Sequence, residues 1–158
     1  MATNKVGYSS TSVGLLTDVD TSARNPVGTR QFDDVGNEFI YLVGVASTVI
    51  GSCVTYGLNG TTAYLTALSV TGAKGPVAFA MGAILAVNFG WYQICGFGSA
   101  LFNGSAVAGA AIYSASTGKV DDAIVSGDQI DGAIVAATVG SAVLGAVYLQ
   151  YPFMNHQG

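Results

Sequence analysis

Charged side chains are scarce in this sequence. Lysine, arginine, aspartate and glutamate together make up 9% of its 158 residues, whereas globular domains usually contain about 25%. Between Phe39 and Gly118 the only charged residue is Lys74. Because charge normally keeps a protein surface soluble, we expect partners to cover much of the surface formed by this stretch. The alternative is a surface unusually rich in Gly, Ser, Thr and small apolar side chains.

Basic residues are particularly few. The net charge is −4, and the five lysines and arginines are far apart in the sequence. Phosphate binding requires Lys and Arg grouped on one face, because released counterions supply the affinity. The sequence therefore predicts no nucleic-acid partner.

Residues that usually perform catalysis or bind metals are also few. The only histidine, His156, lies at the C-terminus, so the body of the domain has no Ser-His or Cys-His pair. Cys53 and Cys95 have no neighbouring histidine and form no zinc motif. We expect both cysteines to be reduced and buried. The sequence predicts neither an enzyme nor a metal site.

Two short motifs that resemble ligand-binding loops are incomplete. The segment GFGSAL at 96–101 begins G-x-G, but it has leucine where a dinucleotide-binding loop needs Gly or Ala. The segment DDVGNE at 33–38 lacks the spacing of an EF-hand loop and is typical of a turn. We therefore predict no cofactor.

Long apolar segments are rare as well. The N-terminus has no apolar signal-peptide core, so we expect the chain to stay in the cell that makes it. Residues 75–87 fall short of the roughly 20 residues that cross a bilayer. Residues 132–149 are long enough, but they are rich in small residues, and no Lys or Arg follows them. The sequence favours a protein without a membrane partner, with a span over 132–149 as the alternative.

Short runs of β-branched and aromatic residues recur along the chain. In residues 76–87, large side chains at odd positions alternate with small ones at even positions, which is the period of a strand. A helix with Val77, Met81, Ile84 and Leu85 on one face is the alternative for this segment. Turn signals separate the runs, among them Asn-Gly at 59–60 and 103–104 and STGK at 116–119. This pattern predicts an all-β fold, a small β-barrel or β-sandwich. Further strands are predicted at 39–45, 52–58, 63–70, 90–97, 106–113, 129–137 and 143–151.

The N-terminal residues differ from the rest. They are polar and show no sustained apolar period, so alone they bury too little surface to offset their ordering entropy. We predict an extended N-terminal arm over 1–31 and a single β domain over 32–158. A disordered terminus is the alternative. An arm of this kind would dock on a neighbouring subunit through scattered anchors: Val6, Tyr8, Val13, Leu15 and Leu16.

Three segments together resemble one protein family. Residues 28–43, GTRQFDDVGNEFIYLV, follow the pattern G-T-x-x-x-D-x-x-G-x-E-F/Y-x-Y, and residues 88–98, NFGWYQICGFG, contain G-W-x-Q-x-x-G. The C-terminal VYLQYPFMN follows an L-x-x-P pattern. In this order and spacing, over residues 28–153, the chain resembles the head decoration, or cement, proteins of tailed bacteriophages.

The resemblance implies a β-barrel or β-tulip-like subunit, usually a homotrimer, on the exterior of a phage head in the virion after assembly in the host cytoplasm. Such a protein binds the major capsid protein, in part through its N-terminal arm, and bridges capsid subunits to stabilise the shell. One alternative is another minor virion structural protein of the tail, connector or fibre base. Another is a small phage membrane protein of holin type, based on residues 132–149.

Three aromatic residues are candidates for the core or a subunit interface: Trp91, Tyr92 and Phe97. Trp91 and Tyr92 are adjacent in one predicted strand, so their side chains point to opposite faces. We expect Trp91 to lie in the core and Tyr92 on a less buried surface.

Overall fold

The computed structural model describes residues 14–57, 59–64, 74–124, 126 and 128–155. These residues form strands and turns and contain no helix, which confirms the predicted all-β fold. The strands are β1 (Val19–Asp20), β2 (Arg30–Phe32), β3 (Glu38–Val43), β4 (Cys53–Tyr56), β5 (Thr62–Tyr64), β6 (Lys74–Ala80), β7 (Phe89–Leu101), β8 (Ala111–Ser114), β9 (Val120–Asp121), β10 (Gln129–Val135) and β11 (Leu144–Asn155).

The strands belong to one antiparallel network. Its main path runs β2-β3-β7-β6-β11-β10-β8-β9, while β1 pairs with β7, and β4 pairs with both β5 and β6. Strand β7 is 13 residues long and pairs with β1, β3, β6 and β11. It is therefore the central strand of the molecule.

The network forks in the middle of β7. Gln93 lies opposite Phe79 of β6, but from Cys95 onward the neighbour of β7 is β11. Strand β6 also pairs with the end of β11, so it separates the first half of β7 from that end. Gly96 and Tyr151 have positive φ angles of 93° and 48° at this fork. Glycine adopts such angles readily, whereas tyrosine rarely does.

Both faces of the central strands are buried. Phe39 and Tyr41 of β3 pack in one cluster, whereas Ile40 and Leu42 pack in another. The same alternation divides β6, where Val77 and Phe79 lie opposite Ala78 and Ala80. Continuous apolar runs are typical of strands that are covered on both sides.

Trp91 and Tyr92 point to opposite faces of β7, as predicted, but the expectation that Tyr92 lies on a less buried surface is wrong. Trp91 is 2% exposed and Tyr92 is 0% exposed. Leu16 packs in the cluster that contains Trp91, while Val54 and Ala78 belong to the cluster around Tyr92. Each face of β7 is covered by a different part of the chain.

The described part of the predicted arm lies on its own domain. Leu16 is 6% exposed, whereas the neighbouring Leu15 is 67% exposed. The predicted boundary at residue 31 falls inside β2. The other predicted anchors lie outside the described residues: Val6, Tyr8 and Val13.

A polar cluster attaches this segment to β3. Arg24 forms an ion pair with Asp20 at 2.9 Å and a longer contact with Asp18 at 3.4 Å. The hydroxyl of Tyr41 donates a hydrogen bond to Oδ2 of Asp20 at 2.6 Å. Burial and this carboxylate raise the pKa of Tyr41 to about 12.

Turn predictions succeed where the flanking strands pair. Asn-Gly at 59–60 lies in the β4–β5 turn, and STGK at 116–119 joins the paired strands β8 and β9. Asn-Gly at 103–104 follows β7, but it makes no hairpin because β8 pairs with β9 and β10 instead. Several strands are also shorter than predicted, and β6 and β8 differ most clearly. Strand β6 ends at Ala80, and β8 begins at Ala111.

The apolar stretch 132–149 forms parts of β10 and β11 with a turn region between them. Within the described residues, no helix has the length and apolar character to cross a membrane. The cysteines are unpaired. Cys53 is buried, which raises the pKa of its thiol, but Cys95 is only partly buried, so the expectation of two buried thiols was half right.

Candidate interaction surface

One face of strands β7, β10 and β11 points away from the core. Along β11, Val147 and Leu149 are buried, while Ala146 and Tyr148, which alternate with them, point outward. We call this surface the outer face. It comprises Phe97, Ser99, Leu101, Ile134, Ala136, Leu144, Ala146 and Tyr148.

The outer face is organised in rows across the strands. Tyr148 lies opposite Phe97 on one side and Ile134 on the other. The rings of Phe97 and Tyr148 are tilted at 54°, with their centroids 4.9 Å apart. Leu144 lies opposite Leu101 in a second apolar row. Two rows of large side chains therefore flank the small residues between them.

No residue of the outer face carries a charge. The carboxylate that borders it on β10 is Asp131, which lies opposite Phe153 of β11. Phe97 is 70% exposed although it is a large apolar side chain. Contiguous apolar surfaces on soluble proteins usually mark interaction sites.

Two side-chain amides hold Phe97 in place. The side chain of Gln93 is buried, and its Nε2 donates to the carbonyl oxygens of Cys95 at 3.1 Å and Phe97 at 2.9 Å. Oδ1 of Asn37 accepts a hydrogen bond from the backbone N–H of Phe97 at 3.0 Å. Both backbone polar groups of Phe97 are therefore engaged by side chains.

Two glycines make room for these amides. A Cβ on Gly96 would collide with the side chain of Asn37, and a Cβ on Gly98 would collide with the amide of Gln93. Gly96 also has a φ of 93°, which disfavours any side chain there. The glycines on either side of Phe97 are therefore required by packing.

Asn37 is oriented by the turn between β2 and β3. Oδ1 of Asp33 accepts from the N–H groups of Val35 at 3.0 Å and Asn37 at 2.8 Å. Nδ2 of Asn37 donates to Oδ2 of Asp33 at 2.7 Å. The predicted turn at 33–38 is confirmed, and it sets the position of the amide that contacts Phe97.

Glu38 follows this turn and is almost fully buried. Oε2 accepts a hydrogen bond from the hydroxyl of Tyr151 at 2.6 Å, and Oε1 lies 3.5 Å from Nη1 of Arg30. The contact with the Glu38 carboxylate raises the pKa of Tyr151 to about 12. The buried carboxylate thus has a partner on each oxygen.

A groove lies beside the Arg30–Glu38 pair, with a volume of about 390 Å³. Burial raises the pKa of Tyr56, which lines the groove near Arg30. Its other lining residues are mainly apolar or glycine: Gly28, Ile40, Leu42, Gly57, Gly60 and Pro76. The described residues contain no group of three His, Cys, Asp or Glu side chains that could hold a metal ion.

The predicted site residues are separated in the structure. Phe97 lies on the outer face, whereas Trp91 and Tyr92 lie in the core. Sequence reasoning missed the contact between Glu38 and Tyr151, although Glu38 is the only glutamate of the sequence and directly precedes an apolar run, which was a usable signal. Comparisons with known protein families, with curated proteins and with solved structures found no match.

Proposed function

We propose that the protein is a virion structural protein, a capsid decoration protein that binds the outside of a phage head. In this role it bridges major capsid subunits and stabilises the shell. The observation that carries the proposal is the uncharged outer face, which a permanently assembled protein covers with a partner. The sequence resemblance to head decoration proteins is the reason for proposing a phage head as that assembly.

We assign the outer face to contacts between copies of the chain, in a homotrimer. Phe97 and Tyr148 provide an aromatic centre without charge, as in the core of stable interfaces. The outer face extends over three strands, β7, β10 and β11, along the seven residues of β11 that pair with β7, so its area is roughly 300 Å². A typical interface buries about 800 Å² per partner, so the face fits the apolar centre of a larger contact.

We assign the shell contact to the N-terminal residues that precede Gly14. The segment that follows them is attached near the start of β7, where Val19 lies opposite Gly90. Phe97 on the outer face is seven residues further along β7, about 23 Å away. Binding at one surface therefore leaves the other accessible, as bridging between subunits requires.

Self-association is tested by adding charge to the outer face. Phe97→Asp would bury an uncompensated carboxylate in the interface, so we expect a folded monomer in analytical ultracentrifugation. Ile124→Asp is the matched control, because Ile124 is 84% exposed and lies outside the outer face. A monomeric wild-type chain at micromolar concentration would contradict the assignment.

Head binding is tested separately, with purified heads of the phage that encodes the chain. We expect the wild-type protein to co-sediment with heads, and deletion of residues 2–13 to reduce its occupancy without changing the oligomer. Co-sedimentation with isolated tails but not heads would overturn the decoration role and favour a tail protein.

A further inference from the structure

The chain contains two Asn-Gly dipeptides, which differ in the burial and the hydrogen bonding of their glycines. At Asn59–Gly60, the N–H of Gly60 donates to the carbonyl oxygen of Gly57 at 2.9 Å, and Gly60 is buried. At Asn103–Gly104, Asn103 is exposed and Gly104 is partly exposed. Throughout the described ranges, no acceptor takes a hydrogen bond from the N–H of Gly104.

We propose that Asn103 is a site of spontaneous deamidation and that the fold protects Asn59 from the same reaction. The backbone nitrogen of Gly104 attacks Cγ of Asn103 and forms a new C–N bond. The bond from Cγ to Nδ2 breaks, and ammonia leaves with the proton that Gly104 loses. Water then opens the succinimide ring to aspartate or isoaspartate, so the reaction requires neither oxidant nor reductant.

Glycine permits this attack because it has no side chain to hinder its own nitrogen. In the β4–β5 turn, the nitrogen of Gly60 must first leave its hydrogen bond to Gly57 and its buried position. The nitrogen of Gly104 has no such bond to break. The availability of the attacking nitrogen is therefore the difference between the two sites.

The Cγ atoms of Asn59 and Asn103, which the backbone nitrogens attack, do not explain the expected difference in deamidation rate. Oγ of Ser116 donates to Oδ1 of Asn103 at 2.9 Å, which withdraws electron density from Cγ. Thr61 does the same at Asn59, where its N–H donates at 3.2 Å and its hydroxyl at 2.7 Å. Both side-chain amides are therefore polarised.

Asp121 lies beside the exposed site. Its Oδ2 is 3.5 Å from the position that a Cβ on Gly104 would occupy. The carboxylate is therefore a close neighbour of Gly104, although it accepts no hydrogen bond from the Gly104 N–H. The N–H of Asn103 also donates to the carbonyl oxygen of Val120 at 2.8 Å. Isoaspartate would lengthen the main chain at this point and disturb that link between β7 and β9.

Peptide mapping tests the proposal on the full chain. Trypsin cleaves after Arg30, Lys74 and Lys119, so Asn59 and Asn103 fall on separate peptides, 31–74 and 75–119. After incubation at mildly alkaline pH below the melting temperature, mass spectrometry measures deamidation at each asparagine. We expect Asn103 to react roughly fivefold faster than Asn59 or more, a ratio that corresponds to about 1 kcal/mol.

Two controls test whether the fold sets the difference in deamidation rate and whether the Gly104 nitrogen is the attacking group. In denaturant the two sites should react at similar rates, because the Gly60 hydrogen bond is lost. Gly104→Ala should slow Asn103 by roughly tenfold in the folded chain, since a methyl group hinders the attack. Its Cβ would meet Asp121 only at an ordinary contact distance, so we expect the variant to fold.

Three results would overturn the proposal. The first is deamidation of Asn59 at least as fast as Asn103 in the folded chain. The second is an unchanged preference for Asn103 in denaturant, which would trace the difference to sequence. The third is a folded chain in which neither asparagine reacts under conditions that modify both in the denatured chain.

Discussion

The hydroxyl of Tyr151 donates a 2.6 Å hydrogen bond to Oε2 of Glu38, which lies 113 residues earlier in the chain. This contact joins the hairpin of β2 and β3 to β11, at the fork beside β6. Arg30 lies 3.5 Å from the other oxygen of the same carboxylate. A buried carboxylate is costly unless its oxygens have hydrogen-bond partners. The hydrogen bond from Tyr151 therefore offsets part of the cost of burying Glu38.

Tyr151→Phe should destabilise the protein. It removes one partner of a buried charged group, and we expect a loss of about 1.5–3 kcal/mol in the free energy of unfolding, measured by urea denaturation. Tyr148→Phe is the control on the same strand, because its hydroxyl makes no hydrogen bond within the described residues. Equal stability of the two variants would contradict a structural role for the Tyr151–Glu38 bond.

The same contact predicts a dependence of stability on alkaline pH. Tyr151 has a pKa of about 12 in the folded protein and an ordinary value near 10 when unfolded. Its contribution is therefore complete below pH 10 and is lost as the pH rises towards 12. The stability difference between wild type and Tyr151→Phe should shrink over this interval. A difference that grows with pH would show the opposite linkage.

The first described turn offers a matched pair of leucines. Leu16→Ala should cost about 2–4 kcal/mol, because Leu16 packs against Trp91 in the core. Leu15→Ala should change the free energy of unfolding by less than about 0.5 kcal/mol, because Leu15 is exposed. Thermal denaturation of both variants measures the difference. Similar melting temperatures would show that this segment is a free arm and not part of the fold.

Glycine is required at the fork beside Phe97. Gly96→Ala should destabilise the protein by about 1–3 kcal/mol from its positive φ alone, and the collision with Asn37 adds to this cost. Gly140→Ala is the control, because nothing lies within 4 Å of its Cβ position and its φ is not positive. Chemical denaturation compares the two, and a neutral Gly96→Ala would contradict the geometry of the fork.

Most strands were predictable because local patterns determine them. Alternation in β6 and the Asn-Gly turn at 59–60 depend on residues that are close in sequence. The burial of Tyr92 was not predictable in this way, since it depends on packing by strands β4 and β6. The absence of a hairpin at Asn103–Gly104 was not predictable locally either. It depends on the pairing of β8 with β9 and β10, which are further along the chain.

The interaction surface was only partly predictable for the same reason. Phe97 was identified from its apolar run, but its neighbours on the outer face, Tyr148 and Ile134, come from strands that are distant in sequence. Glu38 and Tyr151 meet because β7 changes its neighbour from β6 to β11. No local period encodes such a change of partner.

In the proposed assembly, strand β7 is the element along which mechanical load would pass. If the N-terminal segment is held by a shell and the outer face by neighbouring copies, tension acts along β7 between those two points. The hydrogen bonds to β3 and β11 lie across that direction, so they are loaded in shear and share the force. Peeling β7 away would break them one after another, whereas shearing requires many to break together. The length and central position of this strand therefore suit a subunit under sustained tension.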